Sequence, residues 1–130
     1  MPKLILIVED DETTREIYSA SLRDRGYRVL LATNGAEGVH LARRHRPDLV
    51  LMDLRMPVMD GVQAIRYLKS DPQTSRIKVF AISAYEPEAG VPDELHPRGW
   101  DGFLTKPIEP PRLLEEIERR IGPPRPPPGG

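Results

Sequence analysis

The 130-residue chain contains no cysteine, which excludes a disulfide framework, thiolate chemistry and any metal site built on sulfur. It also lacks a charge excess. Lys and Arg number 19 against 20 Asp and Glu, for a formal net charge of -1, so nothing global draws it to nucleic acid or to an anionic membrane surface. Any charge-driven function has to be local. No apolar run approaches spanning length, and the opening MPKLILIVED turns acidic too soon to hold a signal-peptide core. The expectation is a soluble, cytoplasmic protein with no direct nucleic-acid or membrane partner. There is no internal repeat, and no glycine-rich phosphate loop follows the first apolar run.

What is present is an alternation of strand-like and helix-like segments in a chain of about one domain. Residues 4–8, LILIV, form an unbroken apolar run that ends in Glu9, Asp10 and Asp11. Residues 13–24 read as a helix, with Ile17, Ala20 and Leu22 expected inward and Gly26 closing it. Residues 28–33 form a more mixed strand, suited to a sheet edge, and Ala36, Val39 and Ala42 mark a second helix that ends before Pro47. Residues 49–52 form the next apolar run, which stops at Asp53 and passes into a loop with Pro57, Asp60 and Gly61. Val62, Ile65 and Leu68 then keep helical spacing until Asp71-Pro72. Residues 79–82 are a further apolar strand ending at Ser83, and 102–105 a short one leading to Lys106-Pro107. Leu113, Leu114, Ile117 and Ile121 define a last helix, which opens on Pro110 and Pro111.

Between the last two strands, Pro87, Pro92 and Pro97 leave no room for a helix of ordinary length, since an interior proline costs about 3 kcal/mol. A short or irregular fourth helix is expected there. The closing GPPRPPPGG cannot pack a core, so residues 122–130 are expected to be a solvated, disordered tail beyond a domain at 1–121.

Five strands alternating with helices imply an α/β fold, a doubly wound parallel sheet of order 2-1-3-4-5. In open sheets of this kind, ligands bind beyond the carboxyl ends of the strands. That order gathers Asp10 and Asp11 from the first strand, Asp53 from the third, and Ser83 and Lys106 from the last two. Two carboxylates about 4 Å apart repel by about 4 kcal/mol at an effective dielectric near 20. A hard divalent cation such as Mg²⁺ relieves that repulsion and accepts carboxylates, waters and a phosphate oxygen as ligands. A hydroxyl at Ser83 and a cation at Lys106 suit the oxygens of a phosphoryl group, which leaves Asp53 as the nucleophile. Taken singly, each residue has a plainer role. Asp53 suits a turn, Asp10 and Asp11 suit helix caps, and Ser83 and Lys106 are ordinary loop residues. Their convergence on one sheet edge favours chemistry.

The segments LILIVEDD (4–11), DLVLMDLRMPVMDG (48–61), VFAISA (79–84) and GFLTKPI (102–108) resemble those of the receiver (CheY-like) domains of two-component response regulators, stand-alone type, over residues 3–121. The resemblance implies that Asp53 is the phosphoacceptor and that Asp10, Asp11, Asp53 and the backbone carbonyl of Arg55 bind Mg²⁺. It implies that Ser83 and Lys106 engage the phosphoryl oxygens, that Ser83 and Phe103 form the switch, and that the bond before Pro107 is cis. Arg55 and Tyr85 fall where the family gates water, which implies slow self-dephosphorylation. A histidine kinase or histidine phosphotransfer protein would be the donor. The chain would act as a monomer or weak dimer that catalyses only its own phosphorylation and dephosphorylation, signalling through an unidentified protein target. Three rivals stand beside this. A haloacid-dehalogenase-type phosphatase needs an acid where Arg55 stands, a nucleotide-binding module needs the missing glycine loop, and a phosphorylation-independent scaffold has no need of the acids.

Overall fold

Five strands pair in parallel: β1 (Leu4–Val8), β2 (Arg28–Ala32), β3 (Leu49–Asp53), β4 (Lys78–Ser83) and β5 (Gly102–Thr105). Their order is β2-β1-β3-β4-β5. The structure is a computed structural model, and residues 2–54, 60–83 and 100–125 are described. Four helices are found among them: α1 (Glu12–Arg25), α2 (Gly35–His45), α3 (Gly61–Ser70) and α4 (Pro110–Ile121). Of the segment expected to be irregular, 86–100, all but Trp100 lies outside the described residues, as do Arg55 and Tyr85. Among the described residues no helix is long and apolar enough to cross a membrane.

β1 and β3 are buried at every residue, whereas β2, on the edge, is exposed or half-buried over Arg28 to Leu31. Continuous apolar runs mark strands covered on both faces, and the two faces carry separate cores. Leu6, Val8, Val50 and Met52 face α2 and α3 through Val39, Ala42, Ile65 and Leu68. Ile5, Ile7, Leu49 and Leu51 face α1 and α4 through Tyr18, Leu22, Leu113 and Ile117. Fully burying each such aliphatic side chain contributes about 1.5–3 kcal/mol, and that burial is what docks the helices.

Helix α1 is turned from the expected phase. Tyr18, Ser19 and Leu22 are buried, while Ile17 is 48% exposed and Ala20 is exposed. At about 100° per residue, Ile17 and Leu22 stand about 140° apart, whereas Tyr18, Ser19 and Leu22 share one arc. The amphipathic Tyr18, not Ile17, supplies the inward face. Gly26 ends the helix in the left-handed region at φ 115°, and its amide donates to the Leu22 and Arg23 carbonyls.

The start of the expected tail is held to the domain. The Tyr27 hydroxyl donates to the Gly122 carbonyl at 2.8 Å, and the Lys3 amide donates to the Pro124 carbonyl at 2.9 Å. Residues 126–130 lie outside the described residues.

Candidate functional site

The carboxyl ends of β1 and β3 lie side by side, with Val8 in register with Met52, so that the residues just past Val8 reach Asp53. Asp53 is only 5% exposed, and Glu9, the first residue after β1, only 3%. Carboxylate oxygens of Glu9, Asp10 and Asp53 lie within 4.8 Å of one another. Three hard oxygen donors at this spacing, two of them buried, fit a divalent cation such as Mg²⁺.

One cation is already present in the cluster. Lys106 Nζ lies 2.7 Å from Glu9 Oε1 and 3.5 Å from Asp53 Oδ2. Burial alone would lower the lysine's pKa. The Glu9 hydrogen bond and the Asp53 charge outweigh it, and the ammonium is held above its ordinary value. The Lys106 amide donates to the Ser83 carbonyl at 2.7 Å, which joins the ends of β4 and β5, and the Lys106–Pro107 peptide bond is cis. Ser83 is buried one residue beyond the Asp53–Ile82 pair of the β3–β4 ladder. Arg15 of α1 reaches back under the acids, its Nη1 donating to the Glu9 carbonyl at 2.9 Å and the Asp10 carbonyl at 3.4 Å.

Asp11 stands apart from the cluster. It is the N-cap of α1, exposed, and its Oδ2 accepts from the Thr14 hydroxyl at 2.6 Å and the Thr14 amide at 2.9 Å. These two bonds lower its pKa. Of the acids after β1, the structure brings Glu9 and Asp10, not Asp11, together with Asp53. Two signals pointed that way: Asp11 directly precedes a helix, as N-caps do, and Glu9 directly follows the strand. Arg55, expected to add a carbonyl ligand, lies outside the described residues. Phe103, on β5 beside Ala81, is half-buried and packs on Trp100 with ring centroids 5.2 Å apart.

Gly61, the first residue of α3, also belongs to the site. A Cβ there would lie 2.2 Å from the Asp53 carbonyl oxygen and 2.7 Å from Leu54 Cα. The Asp60 carboxylate caps this helix by accepting from the Gln63 amide at 2.9 Å, and the Gly61 amide donates to the Leu54 carbonyl at 3.2 Å. The helix start is thereby pressed against the end of β3, which fixes the backbone that carries Asp53.

The family model for the response regulator receiver domain matches residues 5–118. The polar-differentiation response regulator DivK of Brucella anthropi is 35% identical over 122 residues, covering 94% of this chain and 98% of that protein. Among solved structures, the chemotaxis response regulator CheY4 of Vibrio cholerae superposes with a TM-score of 0.84 at 29% identity, covering 92% of this chain and 98% of that one. A receiver domain of a Pseudomonas aeruginosa sensor histidine kinase, with a magnesium ion coordinated in its active-site cleft, has a TM-score of 0.83 at 33% identity, covering 94% and 99%. With the match running from β1 into α4 and the acids gathered where the strand order reverses, this chain belongs to the receiver domains of response regulators.

Proposed function

We propose that this receiver is a phosphorylation-controlled switch in which Asp53 takes a phosphoryl group from a phosphohistidine on a histidine kinase or histidine phosphotransfer protein. The observation that carries this is the buried Asp53 carboxylate, faced at once by two other acids and by the Lys106 ammonium. An Asp53 oxygen attacks phosphorus and the P–N bond to the donor imidazole breaks. Its electron pair stays on the ring nitrogen, which takes up a proton. Glu9, Asp10 and Asp53 would hold Mg²⁺, which supplies charge neutralisation for the transferring phosphoryl oxygens.

The remaining work belongs to the chain itself. Lys106 provides a fixed positive charge for a phosphoryl oxygen, and its neighbours keep it protonated at neutral pH. Arg15 holds the Glu9–Asp10 backbone in place through two carbonyls. The Ser83 hydroxyl takes another phosphoryl oxygen, and the half-buried Phe103 turns as Ser83 moves, which shifts the population of a protein-binding surface. The chain acts as a monomer or weak dimer of 1–121 followed by a tail, with no turnover of outside substrates. Intact-mass analysis after incubation with acetyl phosphate and Mg²⁺ tests this. One phosphoryl mass is expected on the wild type and none on Asp53→Ala or in a chelator. A gain retained by Asp53→Ala would overturn the assignment.

A further inference from the structure

The pole opposite the acids carries a basic concavity of about 480 Å³, between the amino ends of β1, β3 and β4 and the carboxyl end of α4. Lys3, Arg46, Arg76, Lys78 and Arg120 line it, with Asp48 as the one acid among the described residues. Asp48 is engaged, its Oδ2 accepting from the Leu4 amide at 2.7 Å. None of the five cations is ion-paired with a described carboxylate. In a chain of net charge -1, five cations around one hollow, none of them in a salt bridge with a described acid, are a local excess that the composition hides; Asp71 near Arg46 and Asp101 near Lys78 offset part of it, and Arg120 also lies 5.6 Å over the Phe80 ring.

Helix dipoles explain only part of it. Basic groups favour helix carboxyl ends, which covers Arg120 in the last turn of α4, and Lys3, whose ammonium donates to the Ile121 carbonyl. Arg76 lies between α3 and β4, and Lys78 is the first residue of β4, so neither belongs to a helix. Arg46 adopts φ 46°, the left-handed region, at the end of α2, where glycine or asparagine is the ordinary occupant. An arginine kept in a backbone conformation that disfavours it points to a use for its side chain.

We propose that this concavity binds a polyphosphate anion. Three guanidinium forks and two ammonium groups match several phosphates held close together, and the volume is that of a small-molecule site. Among the described residues no aromatic side chain lines the hollow, so the phosphates carry recognition and a nucleobase adds nothing. A nucleoside triphosphate and free tripolyphosphate share that chemistry.

The test is a titration of the full chain with inorganic tripolyphosphate, ATP and AMP in EDTA, followed by amide shifts in NMR. Tripolyphosphate is expected to shift the amides of Arg46, Asp48, Arg76 and Lys78, and to bind more weakly as salt rises. AMP is expected to bind far more weakly. ATP equal to tripolyphosphate identifies the phosphates as the whole ligand, whereas ATP binding much more tightly would overturn recognition by phosphate alone. Arg46→Gly, which suits the backbone there, and Arg76→Gln should each weaken binding by about tenfold while both still gain a phosphoryl group on Asp53. Shifts confined to Glu9–Asp11 and Asp53, unchanged affinity in both variants, or tighter binding of hexaglutamate than of tripolyphosphate would overturn the proposal.

Discussion

Replacing Gly61 with alanine should damage stability and phosphorylation together. The added Cβ meets the Asp53 carbonyl oxygen at 2.2 Å and the Asp53 carbonyl carbon at 2.9 Å, whereas ordinary contact begins at 3.4 Å. Both obstructing atoms are backbone, so no rotamer change relieves the clash, and β3 and α3 must part by about 1 Å. The expected loss is about 3 kcal/mol, at the upper end for overpacking. Each kcal/mol lowers the melting temperature of a chain this size by roughly 3–6 °C, so thermal denaturation should shift by roughly 9–18 °C. Because the atoms displaced carry the nucleophile, phosphoryl gain from acetyl phosphate should slow by about 100-fold in the protein that remains folded. Gly38→Ala is the control. Its Cβ meets side-chain atoms of Val8, the methyl groups at 2.7 and 3.0 Å and the Cβ at 3.5 Å, and no backbone, so it should cost about 1 kcal/mol and leave phosphorylation intact. A Gly61→Ala protein that melts and phosphorylates like the wild type would refute the steric account of the β3–α3 junction.

Further outcomes follow from other contacts. Glu9→Gln should weaken Mg²⁺ binding in a fluorescence or calorimetric titration while Asp11→Asn leaves it unchanged, and the reverse result would return the metal site to Asp11. Asp101 is half-buried, a position that raises a carboxyl pKa. The Lys69 ammonium at 2.8 Å and the Val79 amide at 2.7 Å overcome that and hold it below the ordinary 3.8. A depressed carboxyl stabilises the fold above its unfolded pKa and loses that contribution as pH falls through the folded one. Asp101→Asn should therefore lower stability at neutral pH and flatten the acid limb below about pH 4, measured by urea denaturation across pH; an unchanged acid limb would discount the Lys69–Asp101 bracket. Thr74→Val removes the hydroxyl that donates to the Leu68 carbonyl at 2.7 Å. It should cost about 1 kcal/mol by denaturant titration, with no change in phosphorylation.

The sheet was legible because its strands are covered on both faces and so are written as uninterrupted apolar runs, LILIV and LVLM among them. The edge strand β2, Arg28–Ala32, announced itself by its mixed composition. Asp53 was legible because a charge that abruptly ends a buried strand has only the sheet's rim to occupy, and Asp10 and Lys106 because they follow strands whose carboxyl ends the order 2-1-3-4-5 brings beside it. The phase of α1 was not, because a sparse apolar stripe hides a tyrosine that buries its ring. Glu9 is not legible as a member of the cluster, because three consecutive acids give no register of their own, and the residue where α1 begins decides which of them turns inward. Gly61 as a contact surface, and the basic hollow assembled from Lys3, Arg46, Arg76, Lys78 and Arg120, depend on segments far apart in the chain, and no local pattern records them.

The hydrogen bond from the Lys3 amide to the Pro124 carbonyl sets the first and last described segments side by side at the amino ends of the strands. Anything tethered to either end of the domain, whether a dye, a bead or a surface linker, therefore leaves from one pole. Five residues of β1 at about 3.3 Å each put roughly 17 Å of sheet between that pole and Glu9, Asp10 and Asp53. Immobilised by either end, the molecule stands with its acidic rim facing outward.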